Sequence, residues 1–404
     1  MVKKTNRSCV LICGVLVLLC MGLIYAWSIF VGPIEAEFGW TRTQTSLTFS
    51  ISMLGFSIGG LSAGYIQKVK SPRWVVTLGA VLLLLGFIMC SQMQQLWQLF
   101  VFYGVFCGIG VGLCYNVWLG TALANYSDKT GFASGWLLMG FGLGGFILGK
   151  ITSAMLYSPL GWRITFIIIG IIVFALLIVT LPFLIVMKEH SSAESAVESV
   201  RREYSPSQML RTPAFWLYLI WCMILLGLGL AVIGQAAMFT TDTGASPAFA
   251  ATAVGMLSIG NGVSRVVLGM IFDKKGRPVA ALTAAVLTAG GIILLTVGYK
   301  NSLLLLVVMA LFLCGFGYGA VSTVNPASTR LLFGGVNFQK NFGMIFLLSS
   351  PAIFIGNSVS SAVKTATGSY MQFLYGAVAV SIIGLFLTFS VEKALKTSRK
   401  RTSK

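Results

Sequence analysis

Twelve apolar runs follow one another along the chain, separated by short polar breaks. A hydrocarbon layer about 30 Å thick takes roughly 20 apolar residues per helix. The runs therefore predict membrane helices over 8–31, 43–66, 74–93, 96–120, 131–155, 163–187, 214–238, 249–272, 278–298, 302–324, 341–363 and 370–391. Glycine and proline inside several of them are tolerated in membrane helices, where neighbouring groups satisfy the freed backbone. The longest polar stretch, 188–213, carries Lys188, Arg201, Arg202 and Arg211 beside Glu189, Glu194, Glu198 and Glu203. It separates six helices from six. The expected organisation is a bundle over 1–187, a cytoplasmic linker over 188–213, and a second bundle over 214–404 ending in a basic tail. The fold class is all-α integral membrane, with twelve helices in two pseudo-symmetric six-helix bundles.

Composition strengthens this reading. Hydrophobic residues make up 57% of the chain and charged residues 9%, against roughly 45–50% and about 25% in soluble domains. Too few charges remain to cover a water-soluble surface. The net charge of +18 raises the question of nucleic acid, but the basic residues sit in the short breaks between apolar runs. They serve topology, and the partner is the lipid bilayer, not nucleic acid. With the amino terminus inside, only Arg42, Lys150, Arg163, Lys300 and Lys364 fall outside, and Arg265 alone falls within the membrane. Every other lysine and arginine is then cytoplasmic, as the positive-inside bias requires. Both termini are placed in the cytoplasm, in a multi-pass protein of the cell (plasma or inner) membrane. The first run is too long for a signal peptide and lacks a small-residue cleavage site.

The eight cysteines lie in or beside apolar runs without CxxC spacing, and His190, the one histidine, lies in the polar stretch. Neither a metal set nor a nucleophile–base pair can be assembled in the membrane part. No cofactor, metal or enzymatic activity is expected, and the cysteines read as small buried hydrophobes.

The two halves repeat. Cys107-Gly-Ile-Gly-Val-Gly112 on the fourth predicted helix matches Cys314-Gly-Phe-Gly-Tyr-Gly319 on the tenth, a shift of 207. Gly22-Leu23 matches Gly227-Leu228 and Gly64 matches Gly269, both at a shift of 205, and the stretch from Gly64 closes on Arg73 as that from Gly269 closes on Arg277, one residue shorter. Three agreements on corresponding helices point to a duplicated six-helix unit. Such halves about a midplane site are a common solution to alternating access.

All ten acidic residues fall outside the helix cores, whereas Arg265 lies deep, about 12 Å above Asp273 at 1.5 Å per residue. An arginine there costs roughly 2.5–3.5 kcal/mol on the insertion scale. Carbonyls and hydroxyls are one way to satisfy its donors. The sharper reading is that a small organic anion supplies the missing charge, because a guanidinium presents two parallel donors to a carboxylate. Asn261 and Ser258 extend a polar stripe on the same helical face. Gln235, near the outer end of the seventh helix, is a further candidate for substrate contact or an outer gate.

Gly269-Met-Ile-Phe-Asp273-Lys274-Lys275-Gly276-Arg277 resembles the GxxxD(R/K)xGR loop of the major facilitator superfamily. The counterpart after the second helix is degenerate, with Lys68 where the acid is expected. Asp273 is suited to capping a helix start or pairing with basic residues. A narrower resemblance, to the oxalate:formate antiporter-like family, runs through Tyr25-Ala-Trp27-Ser, Tyr103 to Asn116, Asp128 to Gly135, Gly140 to Gly144, Ser205 to Trp216 and Asn261 to Arg265. The resemblance implies the major facilitator fold and carboxylate transport through an arginine on helix 8. It also implies a central cavity lined by helices 1, 4 and 10, hence by Tyr25, Tyr115 and Tyr318. Phe346 and Ser349 share a face of helix 11, and Ser349 stands where oxalate transporters of that family carry a second cation. One fixed positive charge suits a monocarboxylate. The expected function is secondary transport of such an anion by exchange or uniport, with the protein acting as a monomer. Efflux of a larger metabolite and a non-transporting ligand sensor are the alternatives.

Overall fold

The computed structural model describes residues 7–156, 158–186 and 203–400. Most of the linker, His190 included, and the side chains of residues 395–400 lie outside the described residues, as does the Tyr25 side chain. Every regular element among the described residues is helical. The first six membrane helices are α1 (Arg7–Phe38), α2 (Arg42–Ile66), α3 (Pro72–Ser91), α4 (Leu96–Asn125), α5 (Thr130–Leu156) and α6 (Gly161–Thr180). After a turn of helix at Pro206–Leu210 come α7 (Pro213–Asp242) and one helical stretch, Pro247–Lys300. The last three are α10 (Leu304–Phe333), α11 (Phe338–Thr367) and α12 (Met371–Lys400).

The apolar part of the 247–300 stretch, Thr252–Lys300, is 49 residues long. At 1.5 Å per residue it would run about 70 Å, more than twice the hydrocarbon thickness. Gly276, with φ 80° and ψ 170°, breaks it. That conformation is open to glycine at little cost, and Pro278 restarts the helix immediately afterwards. The two spans are α8 (247–275) and α9 (277–300), so the long apolar helices number twelve among the described residues. The polar loop expected over 273–277 is thereby corrected. Asp273, Lys274 and Lys275 continue the helix, because their side chains reach polar surroundings without unwinding the backbone.

Helix starts follow local chemistry. The Thr41 hydroxyl accepts from the Gln44 N–H, and the Gln44 side chain accepts from the Thr41 N–H, a reciprocal cap for α2. Ser71-Pro72, Thr212-Pro213 and Ser246-Pro247 open α3, α7 and α8. In each pair the hydroxyl satisfies a free N–H, and proline has none to leave unpaired. Two helices depart from regular geometry. α1 tightens to a 3-10 turn at Gly22–Ala26, and α4 widens to a π-helix at Phe100–Cys107. The Trp27 and Tyr103 rings meet beside these segments at 4.5 Å, and the Trp27 indole donates to the Thr45 carbonyl at 3.1 Å.

The backbone packs as two compact units. The first comprises Met1–Asp128, Trp136–Pro206 and Thr329–Leu347; the second comprises Lys129–Gly135, Ser207–Ser328 and Leu348–Lys404. In the first unit α4 lies against α1, α2 and α3, and α3 also lies against α6. In the second, α12 lies against α7 and the α8–α9 stretch. The glycine repeat has a physical meaning in both. A Cβ at Gly108 or Gly112 would strike the backbone of α2 at Ser52 or Phe56, and one at Gly110 would strike that of α3 at Gly79. Likewise a Cβ at Gly315 or Gly319 would strike α8 at Leu257 or Asn261, and one at Gly317 would strike Thr288 on α9. Each matched glycine lets the corresponding pair of main chains touch, the close approach small residues permit in membranes.

Polar clamps close one end of each unit. Glu37, at the end of α1, accepts from Arg163 at 2.6 Å and from the Trp162 indole at 2.7 Å. Asp242, at the end of α7, accepts from Lys364 at 2.5 Å and the Tyr299 hydroxyl at 2.7 Å. Six cysteines are buried. Cys9 is exposed and Cys13 partly so, correcting the expectation of burial for those two. They lie near the start of α1 on faces that other helices do not cover.

Candidate functional site

Arg265 lies near the middle of α8 and is 3% exposed. Its Nε donates to Asn261 Oδ1 at 3.1 Å, one helical turn earlier. That neutral amide orients the guanidinium without cancelling its charge. Both flanks of the pair are set by close backbone approach. A Cβ at Gly135 of α5 would lie 2.5 Å from the Arg265 carbonyl oxygen. One at Gly319 of α10 would lie 2.3 Å from the Asn261 carbonyl oxygen and 2.7 Å from Oδ1. Tyr318, beside Gly319, packs against Gly229 of α7, where a Cβ would meet its ring at 2.8 Å. Ser349, on α11 in the same unit, is buried. Ser258 is exposed and donates to the Val254 carbonyl at 3.0 Å.

The other lining candidates belong to the first unit. Tyr115 and Phe346 both pack on Phe56, at ring separations of 5.1 and 4.8 Å, and Phe141 lies 5.1 Å from Tyr115. The residues there form one aromatic cluster with Phe342, which Phe346 meets at 6.3 Å. Phe56 and Phe141 carried no signal in the sequence, since one phenylalanine among many in apolar runs reads as ordinary packing. Gln235 joins the polar end of the second unit. It donates to Ser361 Oγ at 2.9 Å and accepts from the Tyr370 hydroxyl at 2.9 Å.

The GxxxD-type stretch is an assembled device. Gly269 of α8 lies against Gly131 of α5, where a Cβ would come within 2.2 Å of the Gly131 carbonyl oxygen. Asp273 Oδ1 accepts from the Gly131 N–H at 2.7 Å, and Oδ2 accepts from the Phe132 N–H at 2.6 Å. A carboxylate thus faces the positive end of α5 and satisfies two first-turn donors. Arg277 is buried, pairs with Glu392 of α12 and lies over the Tyr218 ring at 5.5 Å. Lys274 is exposed. Asp273→Asn keeps the shape but loses the charge and one acceptor. Each such bond is worth roughly 1.5–3 kcal/mol, so amide exchange at Gly131 and Phe132 is expected to rise at least about tenfold. Unchanged protection at both amides would remove Asp273 from this role.

A profile described as Major Facilitator Superfamily matches residues 10–357. Among curated proteins, YhjX of Escherichia coli K12, described as an MFS-type transporter, is 28% identical over 352 residues, covering 85% of each chain. The oxalate:formate antiporter of Oxalobacter formigenes is 25% identical over 406 residues, covering 98% of this chain and 94% of that one. Monocarboxylate transporter 12 of Rattus norvegicus is 25% identical over 415 residues, covering 92% and 82%. Among solved structures, the proton:xylose symporter XylE matches with a TM-score of 0.72 at 16% identity, covering 96% of both chains. The E. coli fucose:proton symporter FucP matches with a TM-score of 0.66 at 14% identity, covering 93% of this chain and 97% of that chain. These structural likenesses carry the fold.

Proposed function

The chain belongs to the Major Facilitator Superfamily, and from that membership we propose that this transporter moves a small organic anion whose charge is held by Arg265. The observation that carries the reading is a guanidinium 3% exposed in mid-helix, in a chain whose acidic residues all lie toward helix ends or in polar segments. A permanent charge at that depth is costly, and a carboxylate answers it with two parallel acceptors. The similarity to proteins named as an oxalate:formate antiporter and a monocarboxylate transporter supports the same chemistry. Asn261 orients the guanidinium. Tyr318, Ser349, Tyr25, Tyr115, Phe346 and Gln235 are proposed to contribute shape and neutral donors. The lysine and arginine distribution supports cytoplasmic termini in the plasma or inner membrane, and 1–187 and 214–404 are proposed as the two bundles of a functional monomer.

Charge count selects among anions. With Ser349 in place of a second cation, a dianion leaves one charge poorly compensated in a low-dielectric site. Monocarboxylates are expected to be taken up at least about tenfold better than oxalate, a difference of roughly 1.4 kcal/mol. Ser349→Lys should shift preference toward oxalate. The cores also lack an acid that titrates near neutrality, so exchange, or uniport at a lower rate, is proposed over obligatory proton symport.

The test is purified protein in liposomes with labelled formate, acetate, lactate, pyruvate and oxalate. Unlabelled internal monocarboxylate should accelerate labelled uptake without a pH gradient. Uptake that demands an inward proton gradient and ignores internal anion would overturn exchange. Oxalate moving faster than every monocarboxylate would overturn the charge argument. No movement of any of the five would favour the larger-metabolite reading.

A further inference from the structure

The first unit holds a second concentration of positive charge, unrelated to Arg265. Lys340, in the first turn of α11, is 6% exposed. Its backbone is brought there by Gly64 of α2, where a Cβ would lie 2.6 Å from the Lys340 nitrogen. The Asn116 amide holds the preceding residue by donating to the Gln339 carbonyl at 2.9 Å. The Lys340 ammonium lies over the Tyr65 ring at 5.8 Å, three residues before Lys68 at the same end of α2, and the positive charge of Lys68 acts on it. No carboxylate pairs with either lysine among the described residues. Glu203, the acid beside the preceding turn, accepts from the Gly335 and Val336 N–H groups at 2.9 and 3.0 Å.

Two ammonium groups and the positive end of a 30-residue helix therefore converge. The second unit shows what such a helix start takes. Asp273 places a carboxylate on the first turn of α5, and the residue at the matching place in the first half, at the shift of 205, is Lys68. The acid is replaced by a base, and a neighbouring base is buried beside it. Around this point Lys70 lies over the exposed Trp74 ring at 5.8 Å, and Val69 is 82% exposed. Basic, aromatic and aliphatic side chains together on one exposed turn suit the headgroup level of a membrane.

We propose that Lys68 and Lys340 form a binding site for a phosphate-class oxyanion, which bridges the two ammonium groups and supplies the negative charge that the α11 start lacks. A phospholipid headgroup and free phosphate share that chemistry. The test is thermal unfolding of the purified full chain in detergent, with inorganic phosphate, phosphatidylglycerol or phosphatidylcholine added separately, on wild type, Lys68→Gln and Lys340→Gln. Wild type should gain about 5 °C at a hundredfold excess over Kd, with phosphatidylcholine inert. A gain with inorganic phosphate identifies a free-anion site; a gain with phosphatidylglycerol only identifies a headgroup site. Either gain should vanish in Lys68→Gln, whose side chain is exposed, and in Lys340→Gln where it folds. Lys68→Asp supplies the counter-charge from within and should be stable without added anion. No wild-type response to phosphate or phosphatidylglycerol, or an equal response in Lys68→Gln, would overturn the site.

Discussion

Arg265→Gln is expected to lower anion affinity about a hundredfold or more while leaving insertion and folding intact. Truncating one member of a buried, hydrogen-bonded charge pair costs about 2–5 kcal/mol, and about 3 kcal/mol already corresponds to a hundredfold. Stabilisation of the folded protein by added carboxylate should disappear in the variant. Arg265→Lys should rescue little, because an ammonium cannot offer the planar pair of donors. Wild-type affinity in a well-folded Arg265→Gln protein would move the anion site elsewhere.

Gly319→Ala should strike both stability and the site through a single methyl group. The added carbon would lie 2.1 Å from Ser264 Oγ and 2.3 Å from the Asn261 carbonyl oxygen, so α8 and α10 must separate. Overpacking of this kind costs about 1–3 kcal/mol or more, and Asn261, which orients Arg265, moves with it. A lower melting temperature together with weaker anion binding is expected. Gly290→Ala is the matched control, since nothing lies within 4 Å of a Cβ there. It should be neutral or slightly stabilising, because alanine favours a helix more than glycine does. Equal effects from the two substitutions would show that helix propensity, not the α8–α10 contact, governs Gly319.

The helices were largely legible because lipid leaves the backbone few options, and each span announces itself by length and apolarity. The α8–α9 junction was legible as a break but not in its extent: hydropathy ends the helix before Asp273, whereas the helix holds to Lys275 and breaks at Gly276, because a polar residue need not leave a helix. α1 likewise runs on to Phe38, through Glu35 and Glu37 and past the expected end at Val31. At the site, Arg265 and Asn261 were found by spacing, since four residues is one turn and the contact is local. The packing of Tyr115 and Phe346 on Phe56 joins three helices, and no neighbouring residues encode it. Lys340 was counted as an ordinary cytoplasmic charge. Its burial depends on Gly64, far away in the chain, admitting the α11 backbone.

The paired glycines also act as a ratchet on the chain's history. Where Gly110 meets the Gly79 backbone, or Gly317 meets Thr288, a side chain can return only if two helices first move apart. A charge at a helix end faces no such barrier. Lys68 and Asp273 have parted company, while the glycines matched at a shift of 207 stand unchanged. Ancestry in this chain therefore stays readable at residues with little chemistry of their own, while the matching polar turn has exchanged an acid for a base.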